Sequence, residues 1–141
     1  MLNRRHIRIK VMQSIYAMHQ KGVDDIVAEQ KFIEQSIEGI FDLYLLMLSS
    51  LVEIQKKEIA FLETSAKKHL ATKEDKNPNK KFINNAILKM LAKSSDLSKA
   101  LEERKITNWK KNDDYIILFL NEIKQSELYK RYMINRVNSF E

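Results

Sequence analysis

Four cations near the start of the chain are the residues whose types and spacing could do chemistry. Arg4, Arg5, Arg8 and Lys10 lie within the first 21 residues, which contain no Asp or Glu. Arginine presents its N–H donors in a fixed fork that matches phosphate. Cations at the start of a helix oppose the backbone dipole, so a structural role does not explain them. The segment therefore predicts an anion site, to which the free amides of a helix start would contribute.

The distribution of charge along the chain agrees with that prediction. The net charge is +6 over 141 residues. Residues 1–21 carry five cations and no acid, whereas residues 22–58 carry eight acids and three cations. Residues 63–81 are basic again, with six lysines and three acids. A surface polarised in this way is suited to a polyanion on one side.

Catalytic and metal-binding residues are not indicated by the sequence. The chain has no cysteine, and its three histidines do not stand at metal-ligand spacing with acids. Two isolated glycines cannot form a glycine-rich phosphate loop. We therefore predict no catalytic residue, no metal site, no cofactor and no enzymatic activity.

The composition predicts an all-α protein. With two glycines, one proline and 44% hydrophobic residues, the chain has too few turn residues for a β fold. We expect a single domain over residues 1–141, built as a bundle of about six to seven helices with one long central helix.

Capping residues and apolar spacing predict where these helices lie. Asn3 should cap a first helix that ends near His19 and is stopped by Gly22. Asp24 or Asp25 should open the second helix, and Gly39 should mark its join to the central one. The remaining predicted elements are the central helix over residues 37–69, a loop over 71–80, helices over 81–92, 95–105, 113–125 and 126–137, and the caps Ser95 and Asp113.

The first helix is expected to bury one apolar face. Ile7, Val11, Ile15 and Met18 recur at helical spacing, and Arg8 lies between this face and the polar one. Tyr16 widens the apolar face, and aromatic residues at such spacing usually pack, so we predict that it lies in the core. If it were exposed, its ring could stack on a base.

The most apolar run, residues 43–48, is too short to span a bilayer. We see no signal peptide and predict a cytoplasmic protein that does not bind membranes.

The segment from Arg4 to Tyr16 resembles the opening of the NusB transcription antitermination factors. Their first helix begins with an Arg-Arg-x-x-Arg run and continues into an apolar–Gln–small–aliphatic–Tyr segment. The matching residues, in order, are Arg4, Arg5, Arg8, Gln13, Ile15 and Tyr16. Residues 82–88 are similar to the Phe-Val-Asn-Gly element of that family, with Asn85 in place of the glycine. The whole chain looks like the N-terminal half of the long NusB-like proteins of some Bacteroidetes-type bacteria, which implies a second half beyond Glu141.

The resemblance implies an all-helical transcription regulator that binds boxA-type single-stranded RNA together with the ribosomal protein NusE. RNA contact is then expected at Arg4 and Arg5, and also at Arg8 and Lys10. Two alternatives remain open. One is a TetR-like DNA-binding regulator, although the acids after Gly22 suit a duplex poorly. The other is a helical adaptor whose basic helix binds acidic surfaces.

Overall fold

The computed structural model describes residues 4–22, 25–69 and 72–135. The regular elements in these residues are α1 (Arg4–Lys21), α2 (Ile26–Ala66), α3 (Lys73–Lys76), α4 (Ala86–Lys93), α5 (Ser95–Glu103), α6 (Asn108–Lys111), α7 (Asp113–Gln125) and α8 (Glu127–Ile134).

The prediction of an all-α bundle with one long helix is confirmed. Every regular element of the described residues is helical, and α2 alone is 41 residues long. Two elements, α3 and α6, are single turns of four residues. In the same part of the chain, no helix has both the length and the apolar character needed to cross a membrane.

Helix α2 differs from the prediction because it joins what we expected to be two helices. Gly39 lies inside it, and apart from its chain neighbours and the helix's own backbone nothing lies within 4 Å of where its Cβ would be. A glycine inside a helix costs about 0.5–1 kcal/mol relative to alanine. Such a cost does not stop a helix whose neighbouring residues on both sides favour it, so the predicted break at Gly39 is wrong.

The starts of three other helices, α4, α5 and α7, or the residues that cap them, differ from the prediction by one or more residues. The helix expected from Lys81 begins only at Ala86, because Asn85 Oδ1 accepts a 2.9 Å hydrogen bond from Ile87 N. Ser94, and not Ser95, caps α5 by accepting from Leu97 N. Residue 112 is the N-cap of α7, and Asp113 is the first residue of that helix.

The predicted break at residue 126 is confirmed. Ser126 has an extended backbone between α7 and α8, and its Oγ accepts a hydrogen bond from Tyr129 N at 3.2 Å. The predicted cap Asn3 and the predicted end of the last helix at Val137 lie outside the described residues.

The chain divides into two compact units, Met1–Tyr44 and Leu45–Glu141. The single domain that we expect over residues 1–141 stays a prediction. In the first unit, α1 ends at Gly22, whose φ of +63° is readily available only to glycine. Asp25 Oδ1 then accepts from Ala28 N at 3.0 Å and starts α2, as expected for an N-cap. The alternative cap, Asp24, lies outside the described residues.

The core of the second unit forms where α2 meets α7. Ile54 of α2 is buried against Ile116 and Leu120 of α7. Partly buried side chains complete this cluster: Phe82, Trp109 and Ile123. The indole Nε1 of Trp109 donates to Leu46 O at 3.0 Å and so fastens α6 to α2.

A buried ion pair lies next to this core. Lys124 Nζ of α7 is 2.5 Å from Glu58 Oε2 of α2, and the Glu58 side chain is only 6% exposed. This oxygen accepts no hydrogen bond of good geometry from the described residues, so the ammonium is the group that compensates its charge. The same ammonium lies 4.3 Å from the centre of the Phe61 ring. Loss of either partner would leave a charge buried without compensation.

We predict that Glu58→Gln lowers the free energy of unfolding by about 3 kcal/mol, the lower end for broken buried pairs, because Lys124 remains 27% exposed. Chemical unfolding followed by circular dichroism measures the change. The matched control is Glu53→Gln, which breaks the exposed pair with Lys56 on the same helix and should cost at most about 1 kcal/mol. Equal losses in the two variants would contradict a special role for the buried pair.

An apolar groove of about 410 Å³ also lies in the second unit, between α2, α4 and α8. Tyr129 lines it, with its ring edge against Phe82 at 5.4 Å between centroids. Burial raises the pKa of the Tyr129 phenol above its ordinary value, and the negative charge of Glu58 and the nearby Tyr132 add to the increase.

A raised pKa in the folded state means that ionisation of Tyr129 favours unfolding. Its contribution to stability is complete below the unfolded pKa of about 10 and is lost as the pH rises through the folded pKa. We therefore expect wild-type stability to fall more steeply above about pH 10 than that of Tyr129→Phe. Unfolding curves over a pH series measure this difference, and parallel pH profiles would contradict the expectation.

Candidate nucleic-acid interface

Three arginines form a cluster at the start of α1. Arg4, Arg5 and Arg8 are exposed, and the first turn of this helix has no acidic residue. Arg4 and Arg8 are one turn apart on the same side of the helix, and Arg5 is about 60° from Arg8 around the helix axis. None of the three side chains forms an ion pair or hydrogen bond with a described residue. Their donors are therefore available to an external anion.

Lys10 lies on a different side of the helix from this cluster. It is about 140° from Arg5 around the helix axis. Lys10 is half-buried and lines a cavity of about 240 Å³ with Gln13, Ser14 and residues of α2. The structure thus brings together three of the four predicted site residues and separates the fourth from them. RNA contact by all four stays a prediction.

A polar residue sets which face of α1 packs on α2. Ser14 is 2% exposed, and its hydroxyl donates to the carboxylate of Glu29 on α2. Val11 and Met18, which flank Ser14 on the helix surface, are half-buried. The predicted apolar face is therefore only partly correct, since Ile7 and Ile15 are 38% and 52% exposed.

The prediction that Tyr16 lies in the core is wrong. Its side chain is 67% exposed, and its hydroxyl accepts a hydrogen bond from Gln20 Nε2 at 3.2 Å. Ile9 and Met12 are exposed beside it. Apolar residues surround α1 on nearly every side, so periodicity alone could not show which of them face α2. The packed side depends on the contact of Ser14 with Glu29 of α2, which no pattern within α1 indicates.

The second basic region lies in the second unit, and one of its lysines has a structural role there. Lys81 Nζ donates to the carbonyls of Tyr132 and Asn135 at the end of α8, and it lies 4.3 Å from the centre of the Tyr132 ring. A cation at a helix C-terminus is favoured by the backbone dipole. The other lysines of this region are exposed: Lys67, Lys68, Lys73, Lys76 and Lys80.

The described residues also bear on metal binding and on the cavities of the second unit. Within the described residues, no group of three or more His, Asp or Glu side chains could hold a metal ion. A cavity of about 460 Å³ beside Trp109 is lined by charges of both signs, including Glu53, Lys56 and Lys105. The predicted absence of catalysis, metal and cofactor stays a prediction.

The helix after α1 bears on the DNA-binding alternative. A helix-turn-helix needs a turn between two short helices soon after the basic segment. Here α2 runs from Ile26 to Ala66 without interruption. This geometry gives the TetR-like alternative no support.

Comparisons of this chain with models of known families, with curated proteins and with solved structures found no match.

The orientation of the helix dipole predicts opposite effects of two charge reversals in α1. Arg5→Glu places an acid in the first turn and should increase the stability of α1 by about 0.3–1 kcal/mol. Lys21→Glu places an acid in the last turn and should decrease it by a similar amount. Amide hydrogen exchange in α1 at low salt measures both effects. A loss of protection in Arg5→Glu would show that Arg5 stabilises the helix and is not placed there for an external anion.

Proposed function

We propose that this protein is a transcription antitermination factor of the NusB type that binds boxA-type single-stranded RNA through the start of α1. The observation that carries the proposal is the arginine cluster, Arg4, Arg5 and Arg8. It is exposed, has no ionic partner among the described residues, and stands on a helix turn that would be more stable with acids.

The chemistry of this surface is recognition and not catalysis. Guanidinium groups form paired hydrogen bonds with phosphate oxygens, which fixes the position of an RNA strand on the protein. The strand releases its bound counterions when arginines replace them, so affinity depends on salt. Lys10 would contribute mainly through its charge, because it lies on another side of α1.

The resemblance of residues 4–16 to the NusB opening supports RNA over other polyanions. It is also the basis for proposing NusE as a protein partner and the cytoplasm as the location. A helical adaptor that binds acidic surfaces is the competing possibility, and anionic vesicles distinguish it from an RNA-binding protein.

The test is the double variant Arg4→Glu/Arg5→Glu. We expect weaker binding of a short, unstructured, fluorescein-labelled boxA-type RNA, because two phosphate contacts become repulsive. The plot of log affinity against log salt concentration has a negative slope, and this slope should become shallower by about 0.7 for each lost contact. Fluorescence anisotropy over a salt series measures both quantities.

The matched control is Lys89→Glu/Lys93→Glu, which reverses two exposed cations on α4 in the second unit. It changes the net charge by the same amount and should leave the salt slope near that of the wild type. Equal affinity and slope in the wild type and the arginine variant would refute the proposal. Binding to anionic vesicles without binding to RNA would favour the adaptor instead.

A further inference from the structure

The cavity beside Trp109 in the second unit has the size and the mixed lining of a small-molecule site. Its volume is about 460 Å³, and such sites usually occupy about 300–1,000 Å³. Trp109, Leu101 and Ile106 form its apolar lining. Sites of this kind cover the apolar part of a ligand and hold its polar part with a few placed groups. The polar groups around this lining therefore indicate which ligand fits.

Five charged side chains line the cavity, and two lysines among them have no anionic partner in the described part of the chain. Glu53 and Lys56 form an ion pair with each other, at 2.7 Å between Oε1 and Nζ. Lys105 and Lys110 are exposed and form no ion pair with a described residue. Glu102 is the remaining acid. The lining therefore carries a net positive charge, which favours an anion.

The backbone conformation of Lys105 is a second observation that points to a ligand. Lys105 follows the end of α5 with a φ of +54°, in the left-handed region. Ile106 N donates to Leu101 O at 2.9 Å, which is the hydrogen bond that closes a helix ending in this way. Glycine is the usual residue at such a position, because a Cβ there costs free energy. A role for the Lys105 ammonium at the cavity explains why a lysine stands there instead.

The other groups of the lining favour an aromatic phosphate. The indole N–H of Trp109 already donates to Leu46 O, so Trp109 offers ring surface and no free donor. Thr107 is the N-cap of α6, but its side chain makes no capping hydrogen bond, which leaves the hydroxyl available to a ligand. A phosphate monoester has about −1.5 to −2 charges at pH 7 and three acceptor oxygens. It therefore matches two ammonium groups and a hydroxyl better than a carboxylate does.

We propose that this cavity binds a small aromatic phosphate monoester of the nucleoside monophosphate class. The ring of the ligand lies against Trp109, and its phosphate is held by Lys105 and Lys110. Lysine binds phosphate as a point charge, so this contact supplies affinity while the apolar lining selects for a planar group. The proposal concerns the second unit alone and does not depend on the RNA-binding role proposed for α1.

The experiment titrates the full chain with adenosine monophosphate (AMP) and measures affinity by isothermal titration calorimetry. Trp109 is the only tryptophan of the chain, so a change in tryptophan fluorescence places the binding at this cavity. We expect saturable binding that changes this fluorescence. Adenosine lacks the phosphate and ribose 5-phosphate lacks the ring, and each should bind at least about tenfold more weakly than AMP.

The variant Lys105→Gly separates a ligand-binding role from a structural one. It should bind AMP about tenfold more weakly, the size of one lost charge-assisted hydrogen bond. Its midpoint of thermal unfolding without ligand should rise, because glycine is favoured at this φ. Glu102→Gln should strengthen AMP binding, since it removes the unpaired acid of the lining. The matched control is Lys99→Gln, which removes an exposed lysine of α5 that does not line the cavity and should leave the affinity unchanged.

Absence of saturable AMP binding at millimolar concentrations would overturn the proposal. Binding of adenosine or ribose 5-phosphate as tight as that of AMP would overturn it as well, because one half of the ligand would then be irrelevant. Wild-type affinity in Lys105→Gly, with circular dichroism showing a folded protein, would assign Lys105 a purely structural role and would have the same consequence.

Discussion

The contact between α2 and α7 is the constraint on which the second unit depends. Ile54 meets Ile116 and Leu120 there, and the ion pair of Glu58 with Lys124 lies beside them. At the other end of α7, Asp113 pairs with Lys57, so residues near both ends of α7 contact a few neighbouring residues of α2. The two helices therefore cross, and Trp109 and Phe82 pack against the cluster that they form. An arrangement that separated Glu58 from Lys124 would leave the buried carboxylate without compensation, so the pair disfavours other alignments of the two helices.

In the first unit, a polar contact between α1 and α2 determines which side of α1 is packed. The described residues of this unit form two helical segments, α1 and the first part of α2, and α1 has apolar residues on most of its surface. The hydrogen bond from Ser14 to Glu29 selects one of several faces that could pack. The selection leaves the arginine cluster and Tyr16 exposed together, and turns Lys10 toward a cavity beside α2. The candidate site is therefore a consequence of how α1 is rotated about its own axis.

Much of the fold followed from local signals. Glycine with positive φ ended α1 at Gly22, and the carboxylate of Asp25 began α2. These are interactions among neighbouring residues, and they act in the same way in any tertiary context. Predictions failed where a local preference was weak compared with its surroundings. The free-energy cost of Gly39 is too small to break a 41-residue helix. Asn85 and Ser94 are the residues whose side chains cap α4 and α5, in place of the neighbouring residues where these helices were expected to begin.

The sequence by itself determined the helical class, the acid-free basic segment and the position of that segment at the start of a helix, because these depend on composition and on neighbours along the chain. Only the tertiary structure decided which side of α1 is exposed. That choice depends on Glu29, fifteen residues from Ser14, and no periodicity within α1 encodes it. The exposed position of Tyr16, and the separation of Lys10 from the three arginines, follow from the same long-range contact.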